Sequence, residues 1–406
     1  MLILLLACSP TPAPKPPDAC AIMATPAPGP LSQERDKAGP DALAQARLRI
    51  REARISGDPG FYTLAETALD CALSRTPDDA EAKRLRVHLL VQFHRFAEAE
   101  VAAKSLQEGP RVDAHFLDYA LYGDALMEQG KLDAAGDAYQ TAVNLRPGLE
   151  MYDRIGWLRW LWGDVEGSIE MQSLAVSAGS ALDPEPLAWV LSRMGWLHAI
   201  TLKPSPEIDQ ALVQVPDYPP ALFARGRIRL AAGDLTGARE DFEKVGPTVE
   251  ATWARAEAED VTANVAFVGA AVGASVGASV GAQDPRGYAI WLSDSAVVAD
   301  RARAVQLLEA EVERRQDAVT RMALAYARFM AGGSAPGVLS TEVRAVLATG
   351  IVEPRVLLQA GLILGDGAPV SEDARKLLER ALASGPGLLP SEQKRARDAL
   401  AKRPVP

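Results

Sequence analysis

Phe116–Leu149 reads FLDYALYGDALMEQGKLDAAGDAYQTAVNLRPGL. Counting Phe116 as position one, Gly123 is eighth, Gly130 fifteenth, Ala135 twentieth, Tyr139 twenty-fourth, Ala142 twenty-seventh and Pro147 thirty-second. Small residues at eight, twenty and twenty-seven allow two antiparallel helices to approach closely. The aromatic at twenty-four fills the space between them, and proline ends the second helix because it lacks a backbone donor. Gly130-Lys131-Leu132-Asp133 supplies the turn between the two. Glycine permits the left-handed exit from one helix, and the acid favours the start of the next.

The same spacing recurs on both sides. A unit from Leu149 puts Gly156, Gly163, Ser168 and Ala175 at positions eight, fifteen, twenty and twenty-seven, and Gly163-Asp164 repeats the turn. A unit from Pro219 puts Gly226, Gly233, Ala238, Phe242 and Val245 at eight, fifteen, twenty, twenty-four and twenty-seven, with Ala231-Ala232-Gly233-Asp234-Leu235 as its turn. Looser hairpins are expected elsewhere. Residues 61–77 read as a second helix, and Pro77-Asp78-Asp79 opens a hairpin running to about Glu108. Residues 185–216 hold Gly195 in a first helix and Ala211-Leu212 in a short second one. Leu357–Gly365 and Glu372–Ser384 form a hairpin closed by Pro386, and Gly365–Ser371 breaks strict register.

These residues resemble the tetratricopeptide repeat, strongly over 116–245 and loosely over about 41–400. The resemblance implies an all-α fold, an α-solenoid of stacked helix–turn–helix hairpins curling into a superhelix whose concave face is lined by first helices. One hairpin cannot bury its apolar face, whereas a stack can. The expected organisation is a signal remnant over 1–8, a Pro-rich tether over 9–40, repeats over 41–260, a Gly/Ala/Ser-rich insert over 261–285, repeats over 286–400 and a tail over 401–406.

Composition agrees with a helical, globular chain. Of 406 residues, 48% are hydrophobic and only 6% aromatic. With 43 basic and 53 acidic residues the formal charge is −10, which argues against a nucleic-acid partner, since such binding needs concentrated positive charge. Three cysteines cannot make a disulfide scaffold.

The start of the chain carries an address. Residues 2–7 are LILLLA, too short to span a bilayer, which needs about 20 apolar residues. Leu5-Leu6-Ala7-Cys8 resembles a bacterial lipobox, which implies a lipid anchor on Cys8, and Ser9 after it implies outer-membrane sorting with the protein facing the periplasm. The apolar run is short and lacks a basic flank, so a cytoplasmic scaffold stays open. Residues 9–30 hold eight prolines, a composition that forms an extended spacer and no core. Cys20 in that spacer is expected as a free thiol, and Cys71, within a helical pattern, as a small core residue.

Residues 265–282 read VAFVGAAVGASVGASVGA, with Gly269, Gly273, Gly277 and Gly281 on one helical face. Such small-residue faces let membrane helices touch, but a segment so rich in Gly, Ala and Ser lacks the transfer energy of a membrane span. The readings are a packed helix, a low-complexity insert, or the inserted helix of a membrane-embedded oligomer. Gly273-Ala274-Ser275-Val276-Gly277 and Gly277-Ala278-Ser279-Val280-Gly281 fit the nucleophile-elbow pattern, yet the last histidine, His198, lies upstream of both, so a hydrolase is disfavoured.

No catalytic chemistry, metal site or cofactor is expected. His88, His94, His115 and His198 form no metal-binding pattern, no C-x-x-C pair exists, and no phosphate-binding glycine loop is present. Glu309, Glu311 and Glu313 read as a charged outer face. The constellation that remains is aromatic. Groove-facing positions two, five, nine, twelve and thirteen put Trp157 and Trp160 from one unit beside Trp189 and Trp196 from the next, with Tyr152 and Trp162 near. Such rings carry binding energy at low entropic cost. The expected function is a non-catalytic scaffold binding a protein or peptide partner across residues 150–200, with no small-molecule substrate. The competing reading is that these rings pack as core between first helices.

Overall fold

The computed structural model describes residues 19–20, 28–108, 115–245, 251, 254–255, 257–258, 284–332, 336–366 and 370–401. Cys8, the zipper at 265–282 and both elbow-like motifs lie outside them. Among the described residues there are 20 α-helices and no strand. A short α1 (Ser32–Ala38) precedes nine hairpins. They are α2–α3 (Ala42–Ser56, Gly60–Arg75), α4–α5 (Ala80–Gln92, Phe96–Leu106), α6–α7 (Phe116–Glu128, Leu132–Leu145), α8–α9 (Leu149–Leu161, Val165–Ser177) and α10–α11 (Pro184–Ile200, Glu207–Gln214). Then follow α12–α13 (Pro219–Ala232, Leu235–Val245), α14–α15 (Pro285–Ser293, Val298–Arg314), α16–α17 (Ala318–Met330, Pro336–Leu347) and α18–α19 (Pro354–Leu364, Glu372–Leu382). A final α20 (Pro390–Ala401) packs on the last hairpin. Hairpin by hairpin, this is the α-solenoid that the repeat implies.

Local chemistry explains the boundaries. Asp79 caps α4 through Ala82 N at 2.8 Å, Asp164 caps α9 through Gly167 N at 2.9 Å, and Asp234 caps α13 through Gly237 N at 3.0 Å. Gly130, Gly163 and Gly233 sit at φ +75°, +79° and +84°, the left-handed conformation that ends each first helix. Within hairpins the position-eight glycine is a slot for the partner helix. A Cβ on Gly123 would lie 2.4 Å from the Tyr139 ring, and one on Gly226 would lie 2.5 Å from Phe242. Tyr139 and Phe242 are accordingly almost wholly buried.

Three expectations need correction. The chain orders before residue 41: α1 docks on α2 through Arg35 Nη1 to Glu52 at 2.5 Å, and the buried Glu52 also accepts from Leu31 N at 3.0 Å. Cys20 is no free thiol, because it forms a disulfide with Cys71 of α3. Glu311 does not face solvent; it is buried and pairs with Arg315 at 3.4 Å, a partner one helical turn on that must be neutralised once it too is buried. Glu309 and Glu313 are exposed.

The spiral also closes on itself. The α6–α7 turn meets the loop before α16, where a Cβ on Gly130 would lie 2.6 Å from the Gln316 carbonyl oxygen. The α8–α9 turn meets the loop before α18, where a Cβ on Gly163 would lie 2.1 Å from the Gly350 oxygen. Arg315 joins the same seam, ion-paired to Glu128 at 3.3 Å and set 4.8 Å over the Phe96 ring. On the far side Arg54 of α2 reaches Glu185 of α10 at 2.9 Å, and Arg227 of α12 donates to the Pro386 carbonyl at 2.8 Å.

Candidate functional site

Closure turns the concave face into a groove of about 1230 Å³. Its walls are chiefly the first helices of six successive hairpins, α2, α4, α6, α8, α10 and α12, joined by Tyr62 of α3, Val245 at the end of α13 and Asp284 ahead of α14. The lining mixes apolar side chains such as Leu85, Leu121, Met127 and Phe223 with an array of charges.

Each of the four lining arginines is bound to a carboxylate. Arg54 grips Glu185 at 2.9 and 3.1 Å, Arg84 grips Asp118 at 2.6 and 3.2 Å, Arg154 grips Asp124 at 2.8 and 3.0 Å, and Arg193 lies 3.4 Å from Asp153. Two-point contacts of this kind fix both partners. Burial alone would lower the Arg154 pKa, but the Asp124 carboxylate outweighs it and leaves the guanidinium more firmly charged than usual. Tyrosines complete two of the pairs: Tyr139 Oη donates to Asp124 and Tyr218 Oη donates to Glu185, at 2.8 and 2.9 Å. Seven carboxylates line the groove against those four arginines, and no lysine does. Glu128, whose pKa burial raises, faces Arg315. Asp58, Glu150 and Asp284 form no ion pair among the described residues, although Arg154 lies close to Glu150 and donates to its backbone carbonyl at 3.0 Å. Asp58 and Asp284 accept from backbone N–H groups of Gly60 and Gly287.

His88 of α4 stands in the same wall, edge-on to Tyr62 at 6.3 Å between ring centres. Its Nε2 is buried with no hydrogen-bond partner. Burial first, then the positive field of Arg54, holds its pKa down at about 4, so the imidazole is neutral at ordinary pH.

The aromatic residues divide. Trp157 and Trp189 line the groove, with the Arg193 guanidinium between them at 4.3 and 5.4 Å from the ring centroids. Trp189 Nε1 donates to Asp153 Oδ2 at 3.0 Å. Trp160 is not in the groove: it is buried with Leu197 and Ile200 beneath Val352. Trp196 is half-buried in the same packing and lies 5.6 Å from the Arg227 guanidinium. Neither Trp196 nor the half-buried Tyr152 lines the groove. Trp162 is exposed at the seam beside Gly350. The repeat count assigns position twelve to the concave face, but here the returning coil covers that position. Arg193 and the groove carboxylates went unremarked in the sequence, and His88 was weighed there only as a metal ligand. Yet the count that exposes Trp157 also puts Glu150 and Asp153 at positions two and five of their unit.

Among the described residues no group of His, Cys, Asp and Glu could hold a metal ion, and no helix is long and apolar enough to cross a membrane.

Comparison with known proteins bears on the repeat. The family model described as Tetratricopeptide repeat matches residues 119–148, within Phe116–Leu149. No curated protein matches the chain. Among solved structures, the APC/C hetero-tetramer Cut9–Hcn1 is 14% identical, with a TM-score of 0.44 over 89% of this chain. The chain spans 62% of the length of that one. Yeast Tom70 is 10% identical, with a TM-score of 0.37 over 94% of this chain and 95% of its own. A tetratricopeptide repeat protein from Parabacteroides merdae is 14% identical, with a TM-score of 0.23 over 79% of this chain and 97% of its own.

Proposed function

We propose that this chain, a tetratricopeptide repeat protein, is a scaffold without chemistry of its own that holds an extended protein segment in its closed groove at the bacterial envelope. The observation that carries the reading is the groove itself: six first helices converge on a space of about 1230 Å³ that is larger than a typical small-molecule site. Its charged side chains are mostly committed to one another, as suits a rigid binding surface rather than a reaction centre. Trp157 and Trp189 supply broad, stiff contact area.

The envelope part of the proposal rests on Cys8 and on the disulfide. A Cys20–Cys71 bond persists in an oxidising compartment, whereas a cytoplasmic scaffold would hold both thiols reduced. Lipid on Cys8 would leave a short Pro-rich spacer ahead of the bonded Cys20. That arrangement favours a periplasm-facing anchor over a cytoplasmic scaffold or a membrane-embedded oligomer.

The test is photocrosslinking in living cells. A benzoyl-phenylalanine at Leu85 or Leu121, in the groove, should trap a discrete protein partner; the same probe at the outward Val101 should not. Equal trapping from both faces overturns the groove reading. For the anchor, Cys8→Ala should release the protein from washed membranes, and retention would refute lipidation.

A further inference from the structure

The groove has a charge preference. We propose that it takes an extended peptide segment bearing lysine or arginine side chains, which Asp58, Glu150 and Asp284 attract and His88 meets as a hydrogen-bond acceptor. The inference rests on the reading of the groove as a peptide site and adds the chemistry of the occupant.

Three observations support it independently. The first is the charge balance: every lining arginine is already held by a carboxylate, so an acidic segment or a free C-terminal carboxylate finds no uncommitted guanidinium there. Three further carboxylates form no ion pair among the described residues, and Asp58 and Glu150 among them are exposed to an approaching partner. The second is His88. A buried imidazole nitrogen without a partner is costly unless something fills the place. A neutral imidazole offers a lone pair, and an ammonium or guanidinium offers the matching N–H. The third is the Arg193 stack, where two indoles and a carboxylate already hold a guanidinium inside the groove. Aromatic faces and an acid of this wall thus already hold a cation.

Backbone capping makes a clean test possible. Asn accepts a cap hydrogen bond as well as Asp does, so Asp58→Asn, Glu150→Gln and Asp284→Asn together remove charge and keep the helix ends. A control variant removes equal charge from exposed second-helix positions, Asp133→Asn, Asp137→Asn and Glu166→Gln. The probe is a fluorescein-labelled decapeptide of alternating leucine and lysine, with glutamate and glutamine versions in place of lysine, titrated by anisotropy against the whole chain. The lysine peptide should bind most tightly, lose about tenfold in affinity with the groove variant and stay within about twofold with the control variant. His88→Leu should weaken it further without changing the melting curve for the worse. Equal weakening by the control variant, or equal or tighter binding of the glutamate or glutamine peptide, overturns the charge preference and leaves the groove a peptide site. Failure of all three peptides to bind overturns both.

Discussion

Closure of the coil can be tested with three alanines. Gly130, Gly163 and Gly233 occupy the same place in their hairpins and share a positive φ. Alanine at each therefore incurs the same left-handed penalty, about 1–2 kcal/mol. The surroundings differ. Around Gly233 a new Cβ meets nothing within 4 Å, whereas at Gly163 it would lie 2.1 Å from the Gly350 oxygen and at Gly130 it would lie 2.6 Å from the Gln316 oxygen. Backbone cannot swing aside as a side chain can, so the seam must part or shift, adding about 1–3 kcal/mol. Urea unfolding should rank Gly233→Ala as mild, with Gly130→Ala and Gly163→Ala each costing roughly twice as much or more. Small-angle scattering should find a larger radius of gyration for the seam variants alone. Equal losses for all three, with unchanged scattering, would refute the argument that the returning coil presses on these turns.

Cys20→Ala should loosen the first hairpin: with a separation of 51 residues, the bond removes about 4 kcal/mol of unfolded-chain entropy in the ideal case. Amide exchange over 42–75 should quicken by at least tenfold while exchange over 149–177 stays as it was, and no local change would count against the staple. His88 makes stability depend on pH. The unfolded imidazole takes a proton near its ordinary 6.5, but the folded one, beside Tyr62 and facing Arg54, Asp124 and Arg154, resists until about 4. Its contribution is therefore full above pH 6.5 and falls as pH drops toward 4, by on the order of 3 kcal/mol. His88→Gln should flatten the stability curve across that window, and an unaltered slope would exclude the effect. Trp189→Phe strips Asp153 of one donor while keeping the ring over Arg193; it should cost about 1–2 kcal/mol in chemical unfolding, and a neutral result would mean that water replaces the indole.

What could be read from the sequence was whatever one repeat decides for itself. Gly123 against Tyr139 and Gly226 against Phe242 are contacts within a hairpin, set by fixed spacing. The Gly-Asp turns at 163–164 and 233–234 need only their own residues. What escaped depends on pieces far apart in the chain. Trp160 counts as groove-facing until Val352 arrives from the last third of the chain to cover it. Glu311 counts as an outward charge until Arg315 is buried in the seam with Glu128. Cys20 and Cys71 carry no spacing that announces their bond, since pairing depends on two residues 51 positions apart coming together. In the groove, single residues such as Trp157 and Asp153 were within reach of the count, but their mutual neutralisation through Arg193 was not, because it joins α8 to α10.

An open array of repeats can grow or shrink by copying a unit, since each copy needs only the two beside it. A coil whose turns press on a later winding has lost that liberty. Inserting or deleting one hairpin between Gly163 and Gly350 would slide the opposing loops out of step and leave Arg315 facing the wrong neighbour. The number of units between contacts is thus fixed by geometry, and evolution can alter the walls of this vessel residue by residue but not its circumference.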